Sequence, residues 1–228
     1  MWIKICGITT VEDAATVVRA GANAIGLNFY QASQRYVTPN QARLIANQVS
    51  EDVDVVGVFV NDPPHHVAQV AQEAGLTAVQ FHGDQTPSEI EQFQHLCPGT
   101  PVIRAFRIGS VTTSFQTQWQ EFKILPIPLT AALVDAWSTD QYGGTGRKVN
   151  ADFLLGHQQL TSQLILAGGL TPDNVADAIA TIRPWGVDTA SGVETSPGVK
   201  STELVEQYVT ACRQKFPDIQ FARLSPRC

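Results

Sequence analysis

A carboxylate at the end of an apolar run, followed at once by glycines, is the first feature of this sequence that could do chemistry. Asp135 closes the run 131–134, and Gly143, Gly144 and Gly146 follow it closely. An unpaired aspartate at a buried strand end is costly unless a partner holds it or a reaction uses it. Glycines at this density give a loop that can move. The pattern predicts a functional acid beneath a covering loop, 137–148, with an aspartate that caps an ordinary turn as the alternative.

A lysine and a cysteine near the N-terminus form a second reactive pair. Lys4 and Cys6 are two residues apart in the apolar run 2–6, so strand geometry places them on one face. If this run is a strand of a barrel, that face is the barrel interior. Branched apolar side chains normally fill such an interior, so a lysine there has no packing role. Because a nearby ammonium favours the thiolate form of a cysteine, Cys6 is a candidate base or nucleophile. The alternative is a small, buried apolar residue.

Two glycine-bearing loops late in the chain predict a phosphate site. They follow the last two apolar runs and contain Gly168, Gly169, Ser191, Gly192 and Gly198. In a barrel, the loops after strands seven and eight commonly bind phosphate through backbone N–H groups. Glycine lets the backbone approach the oxygen atoms closely. Two tight turns are the alternative.

Four other polar residues are candidates for contact with a substrate. Arg35 could pair bidentately with a second anionic group, although a solvated loop arginine is the alternative. Gln80 and His82 stand at the end of another apolar run, where His82 could equally be a hydrogen-bonded histidine at the rim. We expect Arg104 to be an interior charge, paired with Asp135 or Lys4.

The composition excludes several classes of function. Apolar residues make up 43% of the 228 residues, and the net charge is -6. Lysine and arginine are spread along the chain, so we expect no nucleic-acid partner. No apolar run approaches the ~18 residues of a spanning helix, and no signal-peptide pattern is present, which predicts a cytoplasmic protein without membrane contact. The cysteines other than Cys6 share no metal-ligand spacing and are expected to be structural: Cys97, Cys212 and Cys228.

Short apolar runs alternate with helix-like stretches throughout the chain. The predicted strands are 2–6, 24–29, 53–60, 78–82, 102–106, 131–135, 163–167 and 186–189. The predicted helices are 11–20, 39–49, 63–73, 87–95, 111–122, 150–155, 172–181 and 201–215. Four helices are expected to begin at a proline that follows a capping residue, in the pairs Thr38 and Pro39, Asp62 and Pro63, Thr86 and Pro87, and Thr171 and Pro172.

Eight such units predict an α/β fold made of a single (β/α)8 TIM barrel over residues 1–228. A doubly wound open sheet is the alternative, but it usually carries a GxGxxG motif after its first strand, and none follows Cys6. The tail 216–228 is expected to pack on the surface or to fray.

These motifs, taken together, resemble those of the phosphoribosylanthranilate isomerase family. The matching segments, in the family's order, are KICGIT (4–9), SQRYVTP (33–39), VQFHG (79–83), LVDA (133–136), GGTG (143–146), LAGGL (166–170) and GVDTASGVETSPGVK (186–200). The resemblance spans residues 1 to about 212. Thr189 and Ala190 depart slightly from the family's usual residues.

The resemblance implies a barrel enzyme of tryptophan biosynthesis that performs an Amadori rearrangement on a phosphosugar, without metal or organic cofactor. It places the general base at Cys6 and the general acid at Asp135. It places the contact to the anthranilate carboxylate at Arg35 and the phosphate cradle around Gly169, Ser191 and Gly192.

Three other readings stay open at this point. The histidine-pathway aminoaldose isomerase uses the same barrel but has an aspartate where this chain has Cys6. The second reading is a non-catalytic phosphate-binding barrel, which would not need an acid and a base in one site. The third is a structural barrel without a ligand, which would not need Lys4 beneath Cys6. Nothing in the sequence marks an interface between subunits, so we expect a monomer.

Overall fold

The computed structural model describes residues 1–107, 115–135, 163–214 and 223–224. The predicted covering loop 137–148 with Gly144, the predicted helix 150–155 and Cys228 lie outside these ranges. So do the first four residues of the predicted helix 111–122.

Eight strands close into one barrel in chain order. They are β1 (Trp2–Cys6), β2 (Ala24–Asn28), β3 (Asp54–Phe59), β4 (Ala78–Phe81), β5 (Val102–Arg107), β6 (Ala131–Asp135), β7 (Leu164–Ala167) and β8 (Gly186–Thr189). All neighbouring strands are parallel, and β1 pairs with both β2 and β8. This closure confirms the predicted barrel and excludes the open sheet.

Seven helices are described between and after the strands. They are α1 (Val11–Ala20), α2 (Pro39–Ala46), α3 (Pro64–Ala74), α4 (Pro87–Leu96), α5 (Phe115–Phe122), α6 (Val175–Ile182) and α7 (Thr202–Gln214). Two of the predicted starts are confirmed, because Thr38 and Thr86 each form a capping box with a proline in the first turn. None of the helices in the described ranges is long and apolar enough to cross a membrane.

The other two predicted helix starts are wrong. Helix α3 begins at Pro64, with Pro63 as its N-cap. No side chain caps this helix, and the Asp62 carboxylate instead accepts a hydrogen bond from the N–H of Val60 at 3.2 Å. Helix α6 begins at Val175, because the chain first makes a turn in which the Asn174 N–H binds the Thr171 carbonyl at 3.2 Å.

The chain after β8 forms structure that was not predicted. A short 3-10 helix, Ser191–Val193, leads into β9 (Glu194–Ser196) and β10 (Val199–Lys200), which pair antiparallel. The hairpin lies against the loop after β1, where the Thr9 hydroxyl donates to the Gly198 carbonyl at 2.7 Å. It thereby stands beside the carboxyl ends of β1 and β8.

Alternate strand residues fill the barrel interior. Leu224 packs against them at the amino-terminal ends of the strands. One buried cluster contains Trp2, Val56, Leu133, Ile165 and Leu224, whereas a second, larger cluster packs the strands against the helices. Leu224 is 4% exposed, so at this residue the tail neither lies on the surface nor frays. Leu224 thus packs at the end of the barrel opposite the strand ends that carry the predicted chemistry.

Candidate active site

A pocket of about 740 Å³, its open mouth included, lies at the carboxyl ends of the strands. Both predicted catalytic residues, Cys6 and Asp135, line it. Of the predicted substrate contacts, it is also lined by Arg35, Gln80, His82, Gly168, Gly169 and Ser191. The strand ends of a parallel barrel converge at one face, which brings these distant residues together.

Cys6 stands above a buried ion pair. Lys4 Nζ lies 3.0 Å from Asp188 Oδ1, and the Lys4 side chain is fully buried. Burial opposes the charge of Lys4, but attraction to Asp188 and Cys6 holds the Lys4 pKa above its ordinary value. Gly26 makes room for both side chains, because a Cβ there would be 2.7 Å from Cys6 Sγ and 3.0 Å from Lys4 Cε. The Lys4 side chain therefore lies next to Cys6, in the space that Gly26 leaves open.

Asp188, on β8, was not predicted as a site residue. Burial raises its pKa, and Lys4 opposes that rise. It lies on the pocket wall. The rule that placed Lys4 and Cys6 on one face, applied to the run 186–189, would have pointed to it.

Asp135 faces the ring of His82, and Gln80 contacts the opposite side of that ring. His82 Nε2 is 3.5 Å from Asp135 Oδ2, and Gln80 Nε2 is 2.9 Å from His82 Nδ1. With the Gln80 amide oriented to donate through Nε2, Nδ1 accepts and a neutral ring carries its proton on Nε2. The ring therefore directs an N–H toward the carboxyl group of Asp135.

The predicted phosphate loops are fixed to one another by side chains. Asn174 Nδ2 donates to the Gly169 carbonyl at 2.9 Å, and the Thr189 hydroxyl donates to the Leu170 carbonyl at 2.7 Å. Gly168 and Gly169 have positive φ angles of 94° and 63°. In the described part of the chain, the N–H groups of Gly169 and Ser191 take no part in backbone hydrogen bonds between elements. These N–H groups are therefore available to an anion.

Gly192 does not line the pocket but fixes how the two loops meet. A Cβ on Gly192 would lie 1.9 Å from the Leu170 carbonyl oxygen and 2.7 Å from Thr189 Oγ1. Real Cβ atoms never approach so closely, so only glycine fits here. Gly198 lies in the hairpin turn against Thr9 and is not a pocket residue.

Arg35 already holds a carboxylate of the protein itself. Its Nε and Nη2 bind the two oxygen atoms of Glu194 at 2.8 and 2.6 Å. Lys200 Nζ binds Glu194 Oε1 at 2.7 Å. Burial opposes the charge of Glu194, but Arg35 and Lys200 together lower its pKa. The guanidinium is thus not a free loop side chain.

The prediction that Arg104 is an interior charge is wrong. Ile103 and Ala105 face the barrel interior, which turns Arg104 to the outer face. Its guanidinium carbon lies 5.4 Å from the Phe106 ring centroid and 5.2 Å from that of Phe122. Arg104 therefore packs beneath α5 and is not part of the pocket wall.

Comparison with known proteins assigns this arrangement to a family. The model described as N-(5'phosphoribosyl)anthranilate (PRA) isomerase matches residues 3–211. The chain belongs to this family. It is 40% identical over 212 residues to the N-(5'-phosphoribosyl)anthranilate isomerase of Trichlorobacter lovleyi, covering 93% of this chain and 98% of the relative. The family predicted from the sequence motifs is confirmed.

Solved structures of the phosphoribosylanthranilate isomerase family share the architecture. The isomerase of Thermotoga maritima matches with a TM-score of 0.81 and 33% identity, covering 94% of this chain and 99% of its own. A second, 32% identical with a TM-score of 0.78, is a complex with reduced 1-(o-carboxyphenylamino)-1-deoxyribulose 5-phosphate and covers 94% of this chain and 99% of its own.

Of the cysteines that the structure describes besides Cys6, neither Cys97 nor Cys212 lines the pocket. Burial raises the pKa of Cys97 and raises that of Cys212 to about 12, so both remain thiols. Within the described ranges, no group of three or more His, Cys, Asp and Glu side chains is placed to hold a metal ion.

Proposed function

We propose that this pocket converts N-(5-phosphoribosyl)anthranilate to 1-(2-carboxyphenylamino)-1-deoxyribulose 5-phosphate in tryptophan biosynthesis, with Asp135 as general acid and Cys6 as general base. The observation that carries the proposal is that both residues line one pocket, from β6 and β1. Strands β7 and β8, which bear the glycine loops, lie between them around the barrel. A substrate anchored by its phosphate at those loops has an acid on one side and a base on the other.

The reaction begins at the furanose ring oxygen. Asp135 delivers a proton to that oxygen, the bond from it to C1 breaks, and an iminium forms between C1 and the anthranilate nitrogen. The His82 N–H facing Asp135 helps to hold the carboxyl group in the orientation that this transfer needs. The resulting positive charge withdraws electrons and makes the C2 hydrogen acidic.

Cys6 acts in the second step. Its thiolate takes the C2 proton, and the electron pair moves to form an enolamine between C1 and C2. Loss of the C2 hydroxyl proton and protonation of C1 then give the ketone. The buried Lys4 side chain lies beside Cys6 on the same face of β1 and places a positive charge next to the reacting sulfur atom. The steps are proton transfers coupled to cleavage of the ring C–O bond and a double-bond shift, with no net oxidation or reduction, and we propose that they proceed without a metal ion or an organic cofactor.

The substrate carries two anionic groups, and the pocket offers a place for each. We assign the phosphate to the backbone N–H groups of Gly169 and Ser191, with Gly168 and Gly192 shaping the loops. We assign the anthranilate carboxylate to Arg35. The ligand solved with a related isomerase, reduced 1-(o-carboxyphenylamino)-1-deoxyribulose 5-phosphate, has a phosphate at one end and a carboxylate at the other.

The proposal extends to the setting of the enzyme. A phosphorylated intermediate does not cross membranes unaided, so we place the enzyme in the cytoplasm with its pathway. We propose a monomer, since the large exposed apolar side chains of the described ranges are spread over several parts of the chain: Leu44 on α2, Leu96 on α4, Ile124 and Ile127 after α5, and Val199 on β10. Sedimentation equilibrium measures this directly.

Mixing the purified protein with freshly formed N-(5-phosphoribosyl)anthranilate and following the loss of anthranilate fluorescence tests the function. We expect rapid loss with the native chain and almost none with Asp135→Asn, which cannot donate a proton. Cys6→Ser should bind substrate nearly as well and lose at least ~100-fold in turnover, the lower end of general acid-base contributions. No loss with the native chain would contradict the proposed reaction, and a near-normal rate for Cys6→Ser would remove Cys6 from it.

A further inference from the structure

Arg35 is held on three sides before any substrate arrives. Its backbone N–H donates to Ser33 Oγ at 3.1 Å, and its guanidinium binds Glu194. Its aliphatic stem lies against Gly7, where an added Cβ would be 2.4 Å from Arg35 Cδ. The side chain is only 16% exposed, so its conformation is set by the protein.

Glu194 occupies one edge of the guanidinium and leaves another. A guanidinium presents two edges for bidentate binding, Nε with Nη2 and Nη1 with Nη2. Glu194 takes the first edge. Among the described residues, Nη1 of Arg35 has no hydrogen-bond partner. The second edge is thus available to a carboxylate in the pocket that Arg35 lines.

Lys200 holds Glu194 in place from behind. Its Nζ is fully buried and donates to Glu194 Oε1 at 2.7 Å, to the Cys6 carbonyl at 2.6 Å and to the Ala190 carbonyl at 3.1 Å. These three contacts use all three donors of the ammonium. One buried cation therefore joins the end of β1, the end of β8 and the carboxylate that aligns Arg35.

We propose that Glu194, fixed by Lys200, is the positioning residue that presets the second edge of Arg35 for the substrate's carboxylate. The inference rests on the proposed role of Arg35 in the isomerase reaction. An arginine side chain that is already aligned loses less conformational entropy when the substrate binds, which favours binding. Because Lys200 also binds the Cys6 carbonyl, the carboxylate contact and the base share one rigid support.

A pair of ligands that differ only in the carboxylate tests this inference. The first is reduced 1-(o-carboxyphenylamino)-1-deoxyribulose 5-phosphate, and the second is its counterpart without the carboxyl group. Titration calorimetry on the full chain gives the affinity ratio of the two. We expect the wild type to prefer the carboxylated ligand and Glu194→Gln to reduce that preference at least about tenfold, a modest loss for a misplaced contact. The affinity for the second ligand should change little, because it uses the phosphate loops alone.

Matched variants separate positioning from other effects. Glu203→Gln removes an exposed carboxylate on α7 and should keep the wild-type preference. In an Arg35→Ala background, Glu194→Gln should have no further effect on the preference, since it acts through Arg35. In turnover, Glu194→Gln should raise KM more than it lowers kcat. If Glu194→Gln does not fold, Glu194→Asp keeps the charge, withdraws it by one methylene and should lose part of the preference.

The possible failures are distinguishable. A wild type that binds neither ligand contradicts the proposed function and this inference with it. A wild type that binds both equally contradicts the role of Arg35. A wild type that prefers the carboxylate, together with a Glu194→Gln variant whose preference is unchanged or larger, overturns the positioning role of Glu194 alone.

Discussion

The Nε2 atom of His82 lies 3.5 Å from Oδ2 of Asp135, close enough for a small movement on substrate binding to form a hydrogen bond. Both side chains are largely buried, so water competes little for that N–H. Gln80, behind the ring, selects the tautomer that directs the proton outward. The proposed acid is therefore oriented by its neighbours.

Two substitutions of His82 test this orientation. Glutamine places an amide N–H near the position of Nε2, whereas asparagine places one near Nδ1 and leaves the Asp135 side empty. We expect His82→Asn to lower kcat by about 10- to 100-fold, as for a misplaced reacting group, and His82→Gln to keep most of the rate. Steady-state kinetics on both variants makes the comparison, and equal rates would contradict the orienting role.

The barrel could be predicted from the sequence because its elements follow local rules. Apolar runs alternate with capped helices, and the predicted and observed bounds of β1, β6 and β8 coincide. Period-two alternation also placed Lys4 and Cys6 on one face. That rule gives no starting parity in a strand such as VIRAF, which is apolar on both faces, and so Arg104 was assigned to the wrong side.

The charged support of Arg35 could not be predicted in the same way. Glu194 and Lys200 meet it only because an irregular hairpin, β9 and β10, folds back over the end of β1. The spacing of apolar residues does not reveal that a hairpin folds back in this way. Leu224 reaches the far end of the barrel through a similar long-range contact, to which a tail of mixed composition gives no clue.

Gly192→Ala should disturb the phosphate loops specifically. Its Cβ would lie 1.9 Å from the Leu170 carbonyl oxygen, so the two loops must separate, at a cost of about 1–3 kcal/mol in the free energy of unfolding. We expect weaker inhibition of the isomerase by inorganic phosphate and a higher substrate KM.

Gly99→Ala is the control for Gly192→Ala. Gly99 has a φ of +79° and no atom within 4 Å of an added Cβ, so alanine costs only backbone strain, about 1–2 kcal/mol. This variant should lose stability but keep its KM. If both variants keep the wild-type KM, the loops do not bind the phosphate.

Leu224→Ala should destabilise the whole barrel although it lies far from the pocket. The side chain is 4% exposed and packs with the interior cluster that contains Trp2, so its truncation should cost about 2–5 kcal/mol. Urea unfolding measures the change. Arg223→Ala, one residue earlier, removes an ion pair with the exposed Asp52 and should change the free energy of unfolding by less than about 1 kcal/mol. Equal effects of the two changes would contradict a role for Leu224 in the core.

Glu194 should make the stability of the protein depend on pH in acid. Arg35 and Lys200 lower its pKa in the folded state, against the opposing effect of burial. A carboxylate with a lowered folded-state pKa contributes stability in full above its unfolded pKa of about 4.3, and the contribution is lost as the pH falls through the folded-state value. The difference in free energy of unfolding between wild type and Glu194→Gln should thus be constant from neutral pH to about pH 5 and shrink below about pH 4.3.

Asp188, whose pKa burial raises, titrates in both proteins and cancels in this difference. Urea unfolding at a series of pH values measures it, and a difference that stays constant through the acid range would show that Glu194 is not held as an anion by Arg35 and Lys200.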